Sequence, residues 1–428
     1  MTTIKATELS IEMFGGVIYA DSAGSFPGLE LFNFLLECEE GTLPSIPDVT
    51  ITRYAHNFAR RLVHDETLPQ EDKDNVLADK HSEDSIRKLL SCLELQQKSG
   101  SRTATWQGSH FFPYTKSLIH WDANARYRGQ DTAKITMERQ YYRGAGAYVF
   151  NVLRFDPNQE RLQIIRDGVS ELFGNKDDSP LENLAKTLRN HGDWDKTPVK
   201  DDTESRSRKV FNDELEDLFR DGVLNILSHK FIPVVSKIKA IVNWTGIWLI
   251  IVGNKRSKPA ESPETYFIID CAGTNQQLRR ASQKSLKDFL KQINDGITLY
   301  RAGREMNPTQ IQKLKGFFAS TAASMKLINA LTGKRHFTFG LNSIETLALV
   351  AVKSGNEIPF EEFVHDWLYK KCSFVIGRLS ANEAGFLNFL DASIFEENER
   401  QLAEQVKAVG MLKVYSDATK MVGLGSDK

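Results

Sequence analysis

The chain has 428 residues, of which 41% are hydrophobic and 26% are charged, the usual composition of a globular protein of two or three domains. Its four cysteines, scattered with no C-x-x-C spacing, exclude the common zinc-finger patterns and argue against a disulfide framework. The formal net charge of −1 excludes a uniformly basic or acidic protein, yet it averages strongly opposed blocks.

The N-terminal region, residues 1–195, is predicted to be mixed α/β. A strand, a turn and a returning strand are predicted for IEMFGGVIYA and the stretch after it. An extended segment is predicted for LPSIPDVTITRYAH, because β-branched residues follow its prolines. Ser82 and Asn158 are predicted helix caps. The highly charged stretch near 195–207 is predicted to be a domain boundary.

A central domain is predicted over residues 208–340. FNDELEDLFRDGVLNILSH indicates a helix, and the apolar runs IWLIIVG and TYFIIDC favour two paired, buried strands joined by a loop. QLRRASQKSLKDFLKQINDG is typical of an amphipathic helix ending at Gly296. Asn307 and Pro308 begin another helix, which is predicted to run to about Leu331.

The C-terminal region, residues 341–428, is predicted to contain several helices and a closing β-hairpin. Ser343 caps one helix, Pro359 opens the next, and NEAGFLNFL is a third short helix. FEENERQLAEQVKAVG is a helix stopped by Gly410, and MLKVYSDATKMVGL forms two β-rich arms around a Ser-Asp turn. This order resembles the winged helix-turn-helix superfamily over this segment alone. The expected fold class is therefore α+β, mostly helical and multidomain, with a winged-helix-like C-terminal domain.

A basic block stands out against acidic surroundings. Residues 230–340 carry 18 Lys and Arg against 6 Asp and Glu, whereas residues 1–100, 171–229 and 341–428 are net acidic. Such a block is the expected footprint of a surface that binds the phosphates of DNA or RNA. A solvated helix face, or a surface that docks on the acidic segments, would carry the same charges. The predicted contacts with nucleic acid are Lys255, Arg256 and Lys258 in the loop between the two strands, Arg280, Lys284, Lys287 and Lys291 along one stripe of the amphipathic helix, and Lys334 and Arg335.

Two further segments carry candidate binding residues. Arginines beside the glycines of RGAG could cradle an anion, although a tight turn would need the same glycines; these arginines are Arg126, Arg128, Arg139 and Arg143. The presumed recognition helix holds Glu396, Glu397, Glu399 and Glu404 against Arg400 and Lys407. A phosphate backbone is repelled by such a surface, which therefore favours docking of a protein.

The sequence contains no convincing catalytic constellation, and no metal or cofactor is expected. Asp270 follows an apolar strand, as nuclease carboxylates often do, and Cys271 is expected to be a buried structural thiol. An enzyme would therefore need a dispersed site, for which the candidates are Arg143, His120, Asp122 and Asp270.

These patterns favour a non-enzymatic adaptor subunit of a multiprotein complex that acts on nucleic acid and recruits a partner such as an ATPase or a nuclease. Bacterial genome-defence and antiviral operons use such adaptors, which is an analogy only. The alternatives are a nuclease or other phosphate-chemistry enzyme, and a structural scaffold without nucleic acid. No signal peptide is recognised. The most apolar run, Phe231–Gly253, is broken by Lys237, Lys239 and Asn243, so it is predicted to be buried core, and we expect a cytoplasmic protein without a membrane partner.

Overall fold

The fold is built mainly of α-helices, and the expected α+β, mostly helical class is confirmed. The computed structural model describes residues 3–37, 43, 51–54, 69–77, 80–91, 123–124, 136–137, 144–172, 198–201, 209–259, 261–330 and 332–424. Its helices are α1 (Ala6–Phe14), α2 (Phe26–Glu37), α3 (Gln70–Leu77), α4 (Lys80–Ser91), α5 (Ala145–Arg154), α6 (Gln159–Leu172), α7 (Glu214–Ser228), α8 (Val234–Ser257), α9 (Gln276–Arg301), α10 (Pro308–Ser324), α11 (Leu341–Ala351), α12 (Phe360–Glu362, continued as π-helical turns over Phe363–Lys371), α13 (Arg378–Glu383) and α14 (Ala392–Ala408). Single 3₁₀ turns lie at Ala20–Ser22 and Phe386–Asn388.

The strands are short and form four small sheets. They are β1 (Ile51–Tyr54), β2 (Ala123–Asn124), β3 (Thr136–Met137), β4 (Pro198–Asp201), β5 (Phe267–Ile268), β6 (Ile358–Pro359), β7 (Phe374–Val375), β8 (Leu412–Val414) and β9 (Lys420–Val422). β1 pairs with β4 and β2 with β3, both antiparallel, while β5 and β7 are parallel. β6, β9 and β8 form an antiparallel sheet in that order, which contains the predicted closing hairpin.

The long apolar helix α8 forms the centre of the core. It packs against α1, α2, α7, α9, α10 and α11, and the indoles of Trp244 and Trp248 are fully buried, donating hydrogen bonds to the carbonyls of Phe219 and Leu215. Among the described residues, α8 is the only helix long and apolar enough to span a membrane, but 72% of its most apolar window is buried inside the protein. The expectation that this run is core therefore agrees with its packing.

The predicted pairing of IWLIIVG with TYFIIDC is wrong. The first run lies inside α8, because apolar residues cover every side of a helix that is buried all round, and such a run cannot be told from a strand by periodicity. The second run does contain a strand, β5, which pairs with β7 instead. Lys255 and Arg256 consequently lie in the last turn of a helix, and Lys258 is its C-cap, so none of them lies in a loop between strands.

Two more predicted element bounds are corrected. The strand expected in IEMFGGVIYA is replaced by α1, which buries Leu9, Met13 and Phe14 on one face at helical spacing. α9 does not stop at Gly296 but continues to Arg301, and Gly296 is the point where this helix approaches α8. A Cβ at Gly296 would lie 2.6 Å from the carbonyl oxygen of Ser257, so glycine serves close packing here.

One connected hydrophobic core draws on all three predicted domains. It extends from Ile4 to Val422 and includes Phe150, Trp248 and Leu347. Asn398 of α14 joins the ends of β5 and β7, because its Nδ2 donates to the carbonyls of Ile269 (2.8 Å) and Ile376 (3.0 Å). This core holds α9 rigidly at the surface, where the basic stripe lies.

Candidate nucleic-acid interface

Four cations lie in a row on the solvent face of α9. Asn275 begins the helix by accepting hydrogen bonds from the amides of Gln277 and Leu278. At about 100° per residue, the buried side chains occupy the opposite face of the helix: Leu278, Ser282, Ser285, Leu286, Phe289, Gln292, Ile293, Gly296 and Ile297. The exposed cations are Arg280, Lys284, Lys287 and Lys291, which we call the α9 stripe. They extend over about 16 Å at about 1.5 Å per residue.

The α9 stripe has no neutralising partner among the described residues. None of its four side chains takes part in a hydrogen bond or an ion pair there, although Asp288 and Asp295 lie exposed on the same helix. Exposed charges attract a polyanion only where local acids do not already pair with them. The stripe is therefore a surface at which phosphates could replace water and counterions.

Several other cations of the basic block are paired with acids inside the protein. Arg304 lies 3.0 Å from a carboxylate oxygen of Glu12, and Lys313 lies 2.8 Å from Asp21. Both acids belong to the acidic N-terminal segment. Arg304 and Lys313 therefore fit the alternative stated above, in which basic residues dock on the acidic segments of the same chain. Lys255 pairs with Glu264, and Lys258 is half-buried at the end of α8.

Arg256 is a structural residue rather than a surface cation. Its guanidinium is buried and donates to the carbonyl of Phe14 (2.8 Å), the Tyr148 hydroxyl (2.7 Å), Asp213 (2.8 Å) and Glu216 (3.2 Å). Burial acts to lower the pKa of Arg256, but the Tyr148 oxygen and the Asp213 carboxylate outweigh burial and raise it. That Arg256 contacts nucleic acid stays a prediction, which this geometry does not favour because both Nη atoms of the guanidinium already donate to acceptors within the protein.

Lys334 and Arg335 lie in the segment that crosses the start of α9. The Ser282 hydroxyl donates to the Phe337 carbonyl (3.1 Å) and accepts from the Phe337 amide (2.8 Å), which ties this segment to the helix. Lys334 is exposed and Arg335 is half-buried. Lys334 is therefore the second part of the candidate interface, at the end of the helix where the α9 stripe begins.

Asp270 belongs to a buried polar cluster at the end of β5. Its Oδ2 lies 3.5 Å from Arg279 Nε and 3.7 Å from His336 Nε2, and its Oδ1 accepts from the Gly273 amide (2.8 Å). Burial raises the pKa of the neighbouring Cys271 thiol, as expected for an inert structural cysteine. No group of three His, Cys, Asp or Glu side chains in the described ranges is arranged to hold a metal ion. The other members of the dispersed enzyme site lie outside the described residues, namely Arg143, His120 and Asp122.

The glycines of RGAG bind an anion that the chain itself supplies. The Gly144 and Gly146 amides at the start of α5 donate to the carboxylate of Glu30, at 3.0 and 2.8 Å. A Cβ on Gly146 would lie 2.4 Å from the Glu30 Cβ, so glycine is required for this approach. The carboxylate occupies the position that an external anion would take. The four arginines predicted to assist lie outside the described residues: Arg126, Arg128, Arg139 and Arg143.

Two of the four glutamates on α14 are paired with arginines, one from α13 and one from α14 itself. Glu396 accepts from Arg378 and Glu397 from Arg400, both at 2.7 Å. The hydrogen bonds from Arg400 and Gln401 lower the pKa of Glu397 to about 2. Much of the negative charge that was expected to attract a partner is thus balanced on the surface, with Glu404 and Lys407 also exposed.

The sequence analysis missed one surface feature, the turn between α7 and α8. Phe231, Val234 and Val235 are exposed, although the run that contains them was assigned to the core. The lysines that flank the turn, in KFIPVVSK, were the available signal.

No protein-family model, no curated protein and no solved structure matches this chain.

Proposed function

We propose that this protein is a non-enzymatic, nucleic-acid-associated adaptor subunit of a cytoplasmic multiprotein complex. The observation that carries the proposal is the α9 stripe, whose exposed cations lack a partner among the described residues while other cations of the basic block pair with acids. Clustered, unpaired Lys and Arg bind phosphates by releasing counterions. The paired cations hold the acidic segments, whereas the stripe places four unpaired cations on one face of a single helix.

The stripe favours contacts with the phosphate backbone over recognition of bases. Three of its four cations are lysines, whose flexible stems carry a point charge that suits phosphate oxygens better than the fixed edge of a base. Phosphate contacts made from such a surface carry little sequence information. We therefore expect weak binding to DNA or RNA without strong sequence preference.

A winged-helix-like C-terminal domain is the finer part of the proposal. The antiparallel sheet in the order β6, β9, β8 supports it, because the closing hairpin pairs with a short strand that precedes α12. The segment that holds β7 and α13 between α12 and α14 departs from a plain helix-turn-helix. We propose that this domain docks a protein partner such as an ATPase or a nuclease.

The test is a salt titration of binding to a fluorescent duplex and a single strand. Four neutralised phosphates predict a log–log salt slope of about −3.6, which is about a hundredfold loss of affinity between about 50 and 200 mM salt. The variant K284E/K287E/K291E should weaken binding at least tenfold (about 1.4 kcal/mol) and flatten the slope.

The matched control reverses three exposed lysines elsewhere, K371E/K407E/K420E, with the same change in net charge. The control should bind within about twofold of the unmodified protein, because net charge alone does not create a site. Equal losses in both variants, or no binding at low salt, would refute the adaptor assignment and favour a scaffold. Metal-dependent cleavage of the probe would favour the enzyme alternative.

A further inference from the structure

The turn between α7 and α8, with the first two residues of α8, exposes a run of apolar side chains. Phe231 is 75% exposed, and Val234 and Val235 are 44% and 39% exposed. Pro233 is exposed as well, and Ile232 is half-buried. Consecutive apolar residues in a solvated turn expose hydrophobic surface, which calls for a ligand that covers it. We call residues 231–235 the apolar tip.

The surroundings of the apolar tip are basic. Lys230 precedes it, and Lys239 follows one helical turn after Val235 on the same face of α8; both are exposed. The turn after α11 lies beside them, because the Ser354 amide donates to the Ser228 hydroxyl at 3.2 Å. The exposed Lys353 thus lies in a segment that contacts Ser228 and His229, directly before the tip in the chain.

Two further charges lie near the tip. Lys237 is buried and donates to the carbonyl of Leu227, and Glu171 lies close enough to act on its pKa. The tip also caps the N-terminal, positive end of the 24-residue helix α8. Exposed lysines and a helix N-terminus together favour an anionic ligand.

We propose that the apolar tip inserts into the surface of an anionic lipid bilayer. Apolar side chains would enter the boundary between headgroups and acyl chains, and Lys230, Lys239 and Lys353 would contact anionic headgroups. Nucleic acid would satisfy the lysines but would leave Phe231 in water. The contact would be peripheral, since most of the apolar window of α8 is buried inside the protein. The proposal concerns a peripheral contact, independent of the α9 stripe.

The test is co-sedimentation of the full chain with vesicles of phosphatidylcholine, with and without phosphatidylserine. The protein should bind the anionic vesicles and bind the neutral vesicles much more weakly. F231D should lower the bound fraction about tenfold, because a charge in the boundary region opposes insertion. K230E/K239E should lower it by a similar factor and weaken its salt dependence.

The matched control is F389D, which places the same charge at a phenylalanine that is 84% exposed elsewhere. It should bind vesicles like the unmodified protein. K284E/K287E/K291E should keep the dependence on Phe231, which separates this test from that of the α9 stripe. Absence of vesicle binding, or equal effects of F231D and F389D, would overturn the proposal. A concentration-dependent dimer that F231D dissociates would overturn it in favour of a second copy as the ligand.

Discussion

At the scale of single residues, burial decides which cations of the basic block are free to act. Arg256 and Lys284 are both basic and lie less than thirty positions apart, yet one is enclosed by acceptors and the other is exposed. The sequence shows which residues are basic, but it does not show which acidic side chains from distant segments lie beside them in the fold. A charge pattern therefore predicts a basic region without identifying the residues that bind.

We expect R256A to destabilise the protein by about 2–3 kcal/mol, because it removes charged hydrogen bonds to Tyr148, Asp213 and the buried Glu216, which keeps Arg220 at 3.7 Å. Urea unfolding measures the change. The stability of R256K should lie between that of R256A and that of the unmodified protein, since lysine keeps the positive charge but lacks the several N–H donors of the guanidinium group. If R256A unfolds at the same urea concentration as the unmodified protein but binds DNA more weakly, Arg256 is a phosphate ligand and the assignment made here is wrong.

At the scale of elements, the sequence predicted amphipathic and capped helices better than buried ones. The start of α10 at Asn307 and Pro308, and the opposed faces of α9, follow from local caps and periodicity. α8 could not be recognised in this way, because a helix surrounded by core has no polar face. The prediction that α9 ends at Gly296 was wrong for a related reason. This glycine allows close packing of α9 on the end of α8, and the local sequence does not show that contact.

We predict that G296A destabilises the protein even though alanine gains up to about 1 kcal/mol in helix propensity. The added methyl group would meet the Ser257 carbonyl oxygen and Met13, so α9 and α8 must separate. A thermal melt should show a lower Tm. G316A in α10 is the comparison. Its Cβ would meet the Ala20 side chain at 3.1 Å, so its Tm should fall less than that of G296A. An unchanged or higher Tm for G296A would contradict this packing.

Asn398 offers a second test at this scale. N398A removes the donor to Ile269 and Ile376 and the acceptor of the Cys271 amide, leaving buried backbone groups unpaired. We expect a loss of about 2–4 kcal/mol in the free energy of unfolding. N382A, at an exposed position of α13, should stay within about 0.5 kcal/mol. Equal effects of the two variants would show that the joint between β5 and β7 contributes little.

At the scale of the whole molecule, the opposed charge blocks have two different roles. Acids of the N-terminal and 171–229 segments meet cations of the central block at Arg304, Lys313 and Arg256, so part of the asymmetry holds the chain together. Of the cations without a partner among the described residues, four stand in one row on α9. The same composition therefore serves both internal docking and the proposed interface.

The domain boundary at residues 340 and 341 remains a prediction, and the packing of α11 suggests how to test it. α11 lies against α7 and α8, and the Asn225 side chain donates to the Val350 carbonyl at 2.7 Å. β7 pairs with β5, which lies in the central segment. Residues 341–428 expressed alone would expose these apolar and polar surfaces to water.

We therefore expect the isolated fragment 341–428 to melt over a broad temperature range and to bind a hydrophobic dye, while the full chain melts more steeply. Circular dichroism and dye fluorescence measure both properties. The helices of the fragment should form in part, because Asp391 caps α14 locally through the Ser393 amide. Their packing should not be fixed, since the partners of Val350 and of β7 lie in the missing segments. A single steep transition without dye binding would instead establish 341–428 as an independent domain.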